Sequence, residues 1–339
     1  MFSRGGGEMK KLTIGKIRGL QQIASPDGIL TMCAMDHRGS LRSMINEKNP
    51  ESVGYEEMVE RKLELCSSLA KYASAVLLDP IYGAPQCLSR GVLPKTAGLL
   101  VSIEASGYSG DKQHRVTELL RDWGVEKIKR MGASAVKILV YYRPDLAELA
   151  QKQLGTINRV AKDSIKYDIP FLVEPVSYAI GREVDHPQRF AELKPELVIR
   201  TAREVTALPI DVLKAEFPAD LRYQNDKGRL LELCRQLNAS SRVPWVILSA
   251  GVDFEMFYRQ VEIACQAGAS GFLGGRAIWQ EAMNITGTRE RVKFLKTMGV
   301  DRLKKLVEIA NKYAVPWYKK YGLTRGELAE VSEAWYQSY

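Results

Sequence analysis

The chain has 339 residues, 45% hydrophobic and 26% charged, enough to bury a large core in an ordinary globular protein. Its 49 lysines and arginines against 40 aspartates and glutamates leave a formal charge of +9, yet the cations are spread through mixed-sign segments without a nucleic-acid motif, so a solvated surface and no nucleic-acid partner are expected. Cys33, Cys66, Cys87, Cys234 and Cys265 are too scattered for a disulfide framework, and the glycine-rich start has no apolar run behind it, so a cytoplasmic protein without membrane attachment is expected.

Residues 1–10 read as a loose arm and 11–339 as one domain. "TIGKIRGLQQIAS" (13–25) is an amphipathic helix ahead of the first strand, placed to close a barrel floor. Eight apolar runs follow: 29–36, 74–79, 98–104, 134–142, 170–176, 211–218, 244–251 and 270–276. Near-continuous apolar character, without alternation, suits parallel strands covered on both faces. Helical patterns such as 55–73, 145–167 and 253–269 lie between them. Eight strands alternating with helices predict an α/β fold, a (β/α)8 TIM barrel. The doubly wound alternative needs a glycine-rich turn after its first strand, where this chain has "AMDHRGS". Beyond residue 287 come additional C-terminal helices, the last opening at Thr324 with Glu327 in capping-box spacing. Leu295, Leu303, Val307 and Trp317 give these helices apolar faces, read either as core or as the interface of a homo-oligomer.

Barrel chemistry gathers at the carboxyl ends of the strands. Those ends carry Asp36, His37 and Arg38, then Asp79, Glu104, Lys137, Glu174, Lys214 with Glu216, Ser249, and Arg276. Lys137 and Lys214 lie inside apolar runs, on the fourth and sixth strands, where burial and a second cation both favour a neutral amine. Such an amine is a nucleophile able to form a Schiff base; the plainer alternative is an ion pair with Glu174 or Glu216. Glu174, between the two lysine strands, is placed to move protons. Asp36 reads either as a turn residue or as a group that hydrogen-bonds a substrate hydroxyl or orients a lysine. "LSAGVD" (248–253) and "FLGGRAIW" (272–279) put glycines and Arg276 where barrels often bind phosphate. Three histidines, His37, His114 and His186, make no metal motif, so neither a metal nor an organic cofactor is expected.

The segments "AMDHRGSLRSM", "YASAVLLDPIYG", "ASAVKILVYYRPD", "PFLVEPVSY", "DVLKAEFP", "PWVILSAGVD" and "AGASGFLGGRAIW" resemble the tagatose 1,6-bisphosphate aldolase family of class I aldolases, with sulfofructosephosphate aldolases close by. The resemblance implies Lys214 as the Schiff-base lysine and Glu174 in proton transfer. It places Lys137 and Asp36 in the same pocket, with Ser249, Gly251, Gly275 and Arg276 around one anionic group. His37 stands where the family usually has glutamine, which would either change recognition of a substrate hydroxyl or add a group titrating near ~6.5 beside the substrate. For the second anion, Arg38, Arg182 and Lys95 are candidates. The implied reaction is cleavage of a ketose 1,6-bisphosphate to dihydroxyacetone phosphate and glyceraldehyde 3-phosphate. The alternatives are a sulfosugar phosphate giving sulfolactaldehyde, and a non-catalytic sugar-phosphate sensor.

Overall fold

The structure, a computed structural model, describes residues 12–339 apart from Glu330, Ser332 and Ser338. Eight strands, β1 (Leu30–Ala34), β2 (Ala75–Leu78), β3 (Gly98–Ser102), β4 (Ala135–Tyr141), β5 (Phe171–Val176), β6 (Val212–Ala215), β7 (Trp245–Leu248) and β8 (Gly271–Gly274), pair in chain order as a closed barrel, every pairing parallel. Each lies within one of the eight expected runs. The runs overshoot mainly at their carboxyl ends, because residues such as Asp36 and Glu216 leave the ladder to shape the open mouth.

Strand periodicity divides the apolar residues into two cores. Cys33, Val76, Val101, Val136, Val173, Leu213, Ile247 and Phe272 point outward beneath the helices. Met32, Leu77, Leu100, Ala135, Leu172, Val212, Val246 and Leu273 fill the barrel itself. Steps of two residues from this inner layer lead to Asp36, Asp79, Glu104, Lys137, Glu174 and Lys214, so pleat parity alone delivers six charged side chains toward the mouth. At the end of β4 the inward Leu139 and Tyr141 are half-buried while the outward Val140 is fully covered, as expected where the barrel opens.

The opposite end is closed. The helix Ile14–Ile23 crosses the floor, and its Leu20 and Ile23 join Trp317 and Tyr321 in the inner core. Asp211 is the fastening point: its carboxylate accepts from Lys16 Nζ at 2.7 Å and from the Phe171 amide at 2.9 Å, while its carbonyl accepts from the Tyr321 hydroxyl at 2.7 Å.

After β8, helices Thr288–Phe294 and Val300–Tyr313 are joined through a π turn, Leu295–Gly299. Leu295, Leu303 and Trp317 are buried within the chain and Val307 is half-buried, so these faces are core. Thr324 and Glu327 make the expected reciprocal capping bonds, 2.6 and 3.2 Å, but among the described residues the short turns Glu327–Ala329 and Trp335–Gln337 follow in place of a helix. Leu328 packs on the inner core, but Val331, Trp335 and Tyr336 remain exposed, and an amphipathic stretch that buries so little of its apolar face does not sustain a helix. His114 sits in an excursion after β3 held by isolated bridges Glu104–Leu119 and Ser109–Val116. The expected N-terminal arm, residues 1–10, lies outside the described residues.

Candidate active site

Lys137 and Lys214 are both buried in the mouth, but their surroundings differ. Lys137 Nζ lies 2.7 Å from Asp36 Oδ2, 2.7 Å from Glu104 Oε1 and 3.0 Å from Glu174 Oε2. Burial works against its charge, yet the three carboxylates outweigh it and hold the ammonium well above the usual lysine range. The expectation of a neutral amine therefore fails for Lys137: carboxylates, and not a second cation, dominate its environment. Removing such an ammonium from among three buried acids would cost about 3–5 kcal/mol, so Lys137 is also structural.

Lys214 has a single carboxylate partner among the described residues, Glu174 Oε1 at 2.7 Å. Glu174 thus spans both lysines, one on each oxygen. The other sequence candidate for this pairing, Glu216, faces elsewhere: it accepts from the Ser177 amide and hydroxyl at 2.7 and 2.6 Å and lies 3.5 Å from Lys194.

Asp36 feels burial, which raises a carboxyl pKa, but the neighbouring Lys137, His37 and Lys214 hold it below the ordinary range. It is therefore an ion-pair partner inside the pocket, and the turn reading is replaced. His37 packs edge-on against Trp279 at 5.1 Å, with Nδ1 3.9 Å from Asp36 Oδ1. Burial pushes the imidazole down to about 3 against the pull of Asp36, with Arg276, Lys62 and Lys214 pushing the same way. The group expected to titrate near ~6.5 is therefore neutral there. Because the unfolded chain takes up this proton first, His37 removes stability as pH falls from about 6.5 toward 3. The thermal midpoint of His37→Gln should fall less steeply than wild type over that window; parallel slopes would rule out the buried neutral imidazole.

Ser249, Gly251, Gly275 and Arg276 meet at the ends of β7 and β8. The chain turns sharply at Ala250 and Gly251, both with positive φ (47° and 79°), and the Val252 amide closes onto the Ser249 carbonyl at 3.0 Å. A Cβ on Gly251 would sit 2.9 Å from the Arg276 guanidinium carbon, so only glycine lets that cation lie against this backbone. A Cβ on Gly275 would likewise meet His37 Cε1 at 2.9 Å. Arg276 is half-buried and has no carboxylate partner among the described residues, an arrangement suited to a phosphate or sulfonate.

The structure also adds residues to this set. Glu104, noted only as a strand-end acid, is a direct partner of Lys137, and its inward parity on β3 was the available signal. Lys62 comes from the helix Tyr55–Leu69; it is fully buried, pairs with Asp79 at 2.9 Å, and donates to the carbonyls of Met35 and His37 on either side of Asp36. Its signal was a charge on the apolar stripe between Met58 and Cys66. The candidates for a second anion do not converge. Lys95 precedes β3 and lines a cleft of about 780 Å³ at the closed end of the barrel, Arg182 is exposed at the start of a short helix, and Arg38 is buried with Nη2 donating to the Glu104 carbonyl at 2.7 Å. Among the described residues no group of three or more His, Cys, Asp and Glu side chains is placed to hold a metal ion, all five cysteines are free and buried, and no helix is long and apolar enough to cross a membrane.

A parallel barrel that gathers lysines, acids and an unpaired arginine at its open end has the makings of an enzyme, not of a purely structural scaffold. Residues 30–281 match the DeoC/LacD family of aldolases. The tagatose 1,6-diphosphate aldolase of Listeria monocytogenes is 33% identical over 93% of this chain and 97% of its own length, and that of Lactococcus lactis 32% over 91% and 99%. The chain belongs to the DeoC/LacD aldolase family and is a lyase. In fold it is similar to a Schiff-base-forming fructose-1,6-bisphosphate aldolase (TM-score 0.59, 19% identity, 87% of this chain and 99% of that one). It is likewise similar to the fructose-bisphosphate aldolase of Plasmodium falciparum (TM-score 0.66, 14% identity, 90% and 98%).

Proposed function

We propose that the protein is a class I aldolase that cleaves a ketose 1,6-bisphosphate of the tagatose type through a Schiff base on Lys214. The observation that carries this reading is the placement of Glu174, whose two oxygens reach Lys214 at 2.7 Å and Lys137 at 3.0 Å. Lys214, with one acid to release, gives its proton to Glu174 or to water and attacks the substrate ketone at C2. The carbinolamine hydroxyl takes up that proton and departs as water, leaving an iminium and Glu174 again a carboxylate. Lys137, held charged by three acids, remains an ammonium and fixes the carboxylates and substrate hydroxyls around it.

Glu174, as carboxylate, takes the C4 hydroxyl proton. The C3–C4 bond breaks, its electron pair passes to the iminium as an enamine, and glyceraldehyde 3-phosphate leaves. Protonation of the enamine at C3 and hydrolysis of the imine release dihydroxyacetone phosphate and restore the lysine. Asp36 orients Lys137 and accepts from a substrate hydroxyl, while Ser249, the Gly251 and Gly275 backbone and Arg276 hold the phosphate on C1. The relatives named for tagatose 1,6-diphosphate support the substrate class. Turnover measured across ketose 1,6-bisphosphates, with a 6-deoxy-6-sulfoketose 1-phosphate beside them, tests it. Highest kcat/KM is expected for a bisphosphate; preference for the sulfosugar would overturn the substrate assignment and leave the lysine chemistry standing.

A further inference from the structure

The excursion after β3 carries a cation that the proposed chemistry does not use. Arg115 has its guanidinium carbon 4.9 Å from the ring centre of Tyr108, 5.5 Å from Tyr141 and 4.7 Å from Tyr178. Three aromatic faces around one guanidinium fix its plane and lower the entropy cost of using it. Its Nε donates to the Lys112 carbonyl at 3.1 Å, and among the described residues no carboxylate pairs with it. A half-buried arginine held by rings and lacking an acid is a cation whose counter-ion comes from elsewhere.

The surroundings are built, not incidental. Gln153, fully buried, donates to the carbonyls of both Arg115 and Tyr141 at 3.2 and 2.9 Å. The Tyr178 hydroxyl accepts from the Arg115 amide at 3.3 Å, and Thr117 Oγ1 accepts from the Tyr141 amide at 3.1 Å. The excursion is thereby bolted to β4 and to the segment after β5. Tyr141 lies on the inward parity of β4, four residues beyond Lys137, so the cluster borders the mouth above the lysines. In a closed eight-strand barrel β4 stands opposite β8, which carries Arg276 at its end. Arg115, packed against Tyr141 of β4, and Arg276 therefore lie on opposite sides of the mouth.

The geometry points to Arg115, caged by Tyr108, Tyr141 and Tyr178, as the subsite for the anion on C6 of the substrate. This rests on the aldolase reading: with C1 phosphate at Arg276 and C2 at Lys214, an extended ketose runs toward β4, and its far end arrives beneath Arg115. Phosphate and sulfonate share the chemistry such a guanidinium recognises, so the cage selects a doubly charged ketose over a ketose 1-phosphate. It also fills the place that Lys95, at the other end of the barrel, cannot.

The test compares Arg115→Gln with wild type on three substrates: a ketose 1,6-bisphosphate, the 6-sulfo analogue and the matching ketose 1-phosphate. Loss of a charged hydrogen-bonding partner predicts a roughly 10- to 100-fold fall in kcat/KM, mainly through KM, on whichever doubly charged ketose is the substrate. Activity on the ketose 1-phosphate, and borohydride trapping of dihydroxyacetone phosphate on Lys214, should match wild type, since neither ligand reaches the cage. Equal losses on all substrates, or lost trapping, would make Arg115 a brace for the excursion and overturn the subsite. Unchanged kinetics throughout would overturn it as well. Wild type that cleaves neither doubly charged ketose would instead sink the aldolase reading, and the subsite with it.

Discussion

Lys214→Met should abolish cleavage, with kcat down by at least ~10³–10⁴-fold, and should lose all borohydride-stable labelling by dihydroxyacetone phosphate, because Lys137, the neighbouring lysine, is held as an ammonium by three carboxylates. Wild type reduced in the same way should gain the mass of the reduced adduct on the peptide containing Lys214. The variant should remain folded. Glu174, its one carboxylate partner, keeps Lys137 at 3.0 Å, so no buried charge is stranded. Lys137→Met is a poorer probe, because it leaves Asp36, Glu104 and Glu174 without their shared cation and confounds chemistry with folding. Retained cleavage in Lys214→Met, or labelling of a different lysine, would remove Lys214 from the mechanism.

Glu174→Gln should separate the covalent step from the proton step. The amide preserves shape and a hydrogen-bond acceptor for Lys214 but cannot take a proton, so kcat is expected to fall by ~10²–10⁴-fold, the usual range for a general base. Borohydride should still mark Lys214 in this variant, since dihydroxyacetone phosphate forms its imine without breaking a carbon–carbon bond. A variant with near wild-type kcat would shift the base to another group. A variant that cannot be labelled would instead show that Glu174 is needed to free the lysine amine.

Much of this was legible in the sequence because of how parallel barrels bury their strands. Both faces of each strand are covered, one by helices and one by the barrel interior, so strands appear as unbroken apolar runs, and a charge within a run stands out. Lys137 and Lys214 were visible for that reason. The protonation of Lys137 was not, since it depends on Glu104 and Asp36, just beyond the ends of β3 and β1 and brought to it only by closure of the sheet. His37 failed similarly: its expected titration near ~6.5 is that of an unburied imidazole, whereas Trp279, some 240 residues away, packs edge-on against it. Glu216 had the right parity, but Ser177 and Lys194 captured it. The last helix failed for the opposite reason. Its capping residues act locally and formed their bonds, while beyond Leu328 the apolar Val331, Trp335 and Tyr336 stay exposed.

The fastening at Asp211 sets an order of assembly. Lys16 is made before Asp211, but Trp317 and Tyr321, which complete the seal, follow Asp211 by more than a hundred residues. Until they arrive, the lowest layer of the barrel interior is open to water on the side away from the chemistry, so the nascent chain waits in an incompletely packed form. The persistence of the finished enzyme is then governed from a place with no catalytic part. Release of one short turn at the floor would shorten its folded lifetime while leaving every group in the mouth where it was.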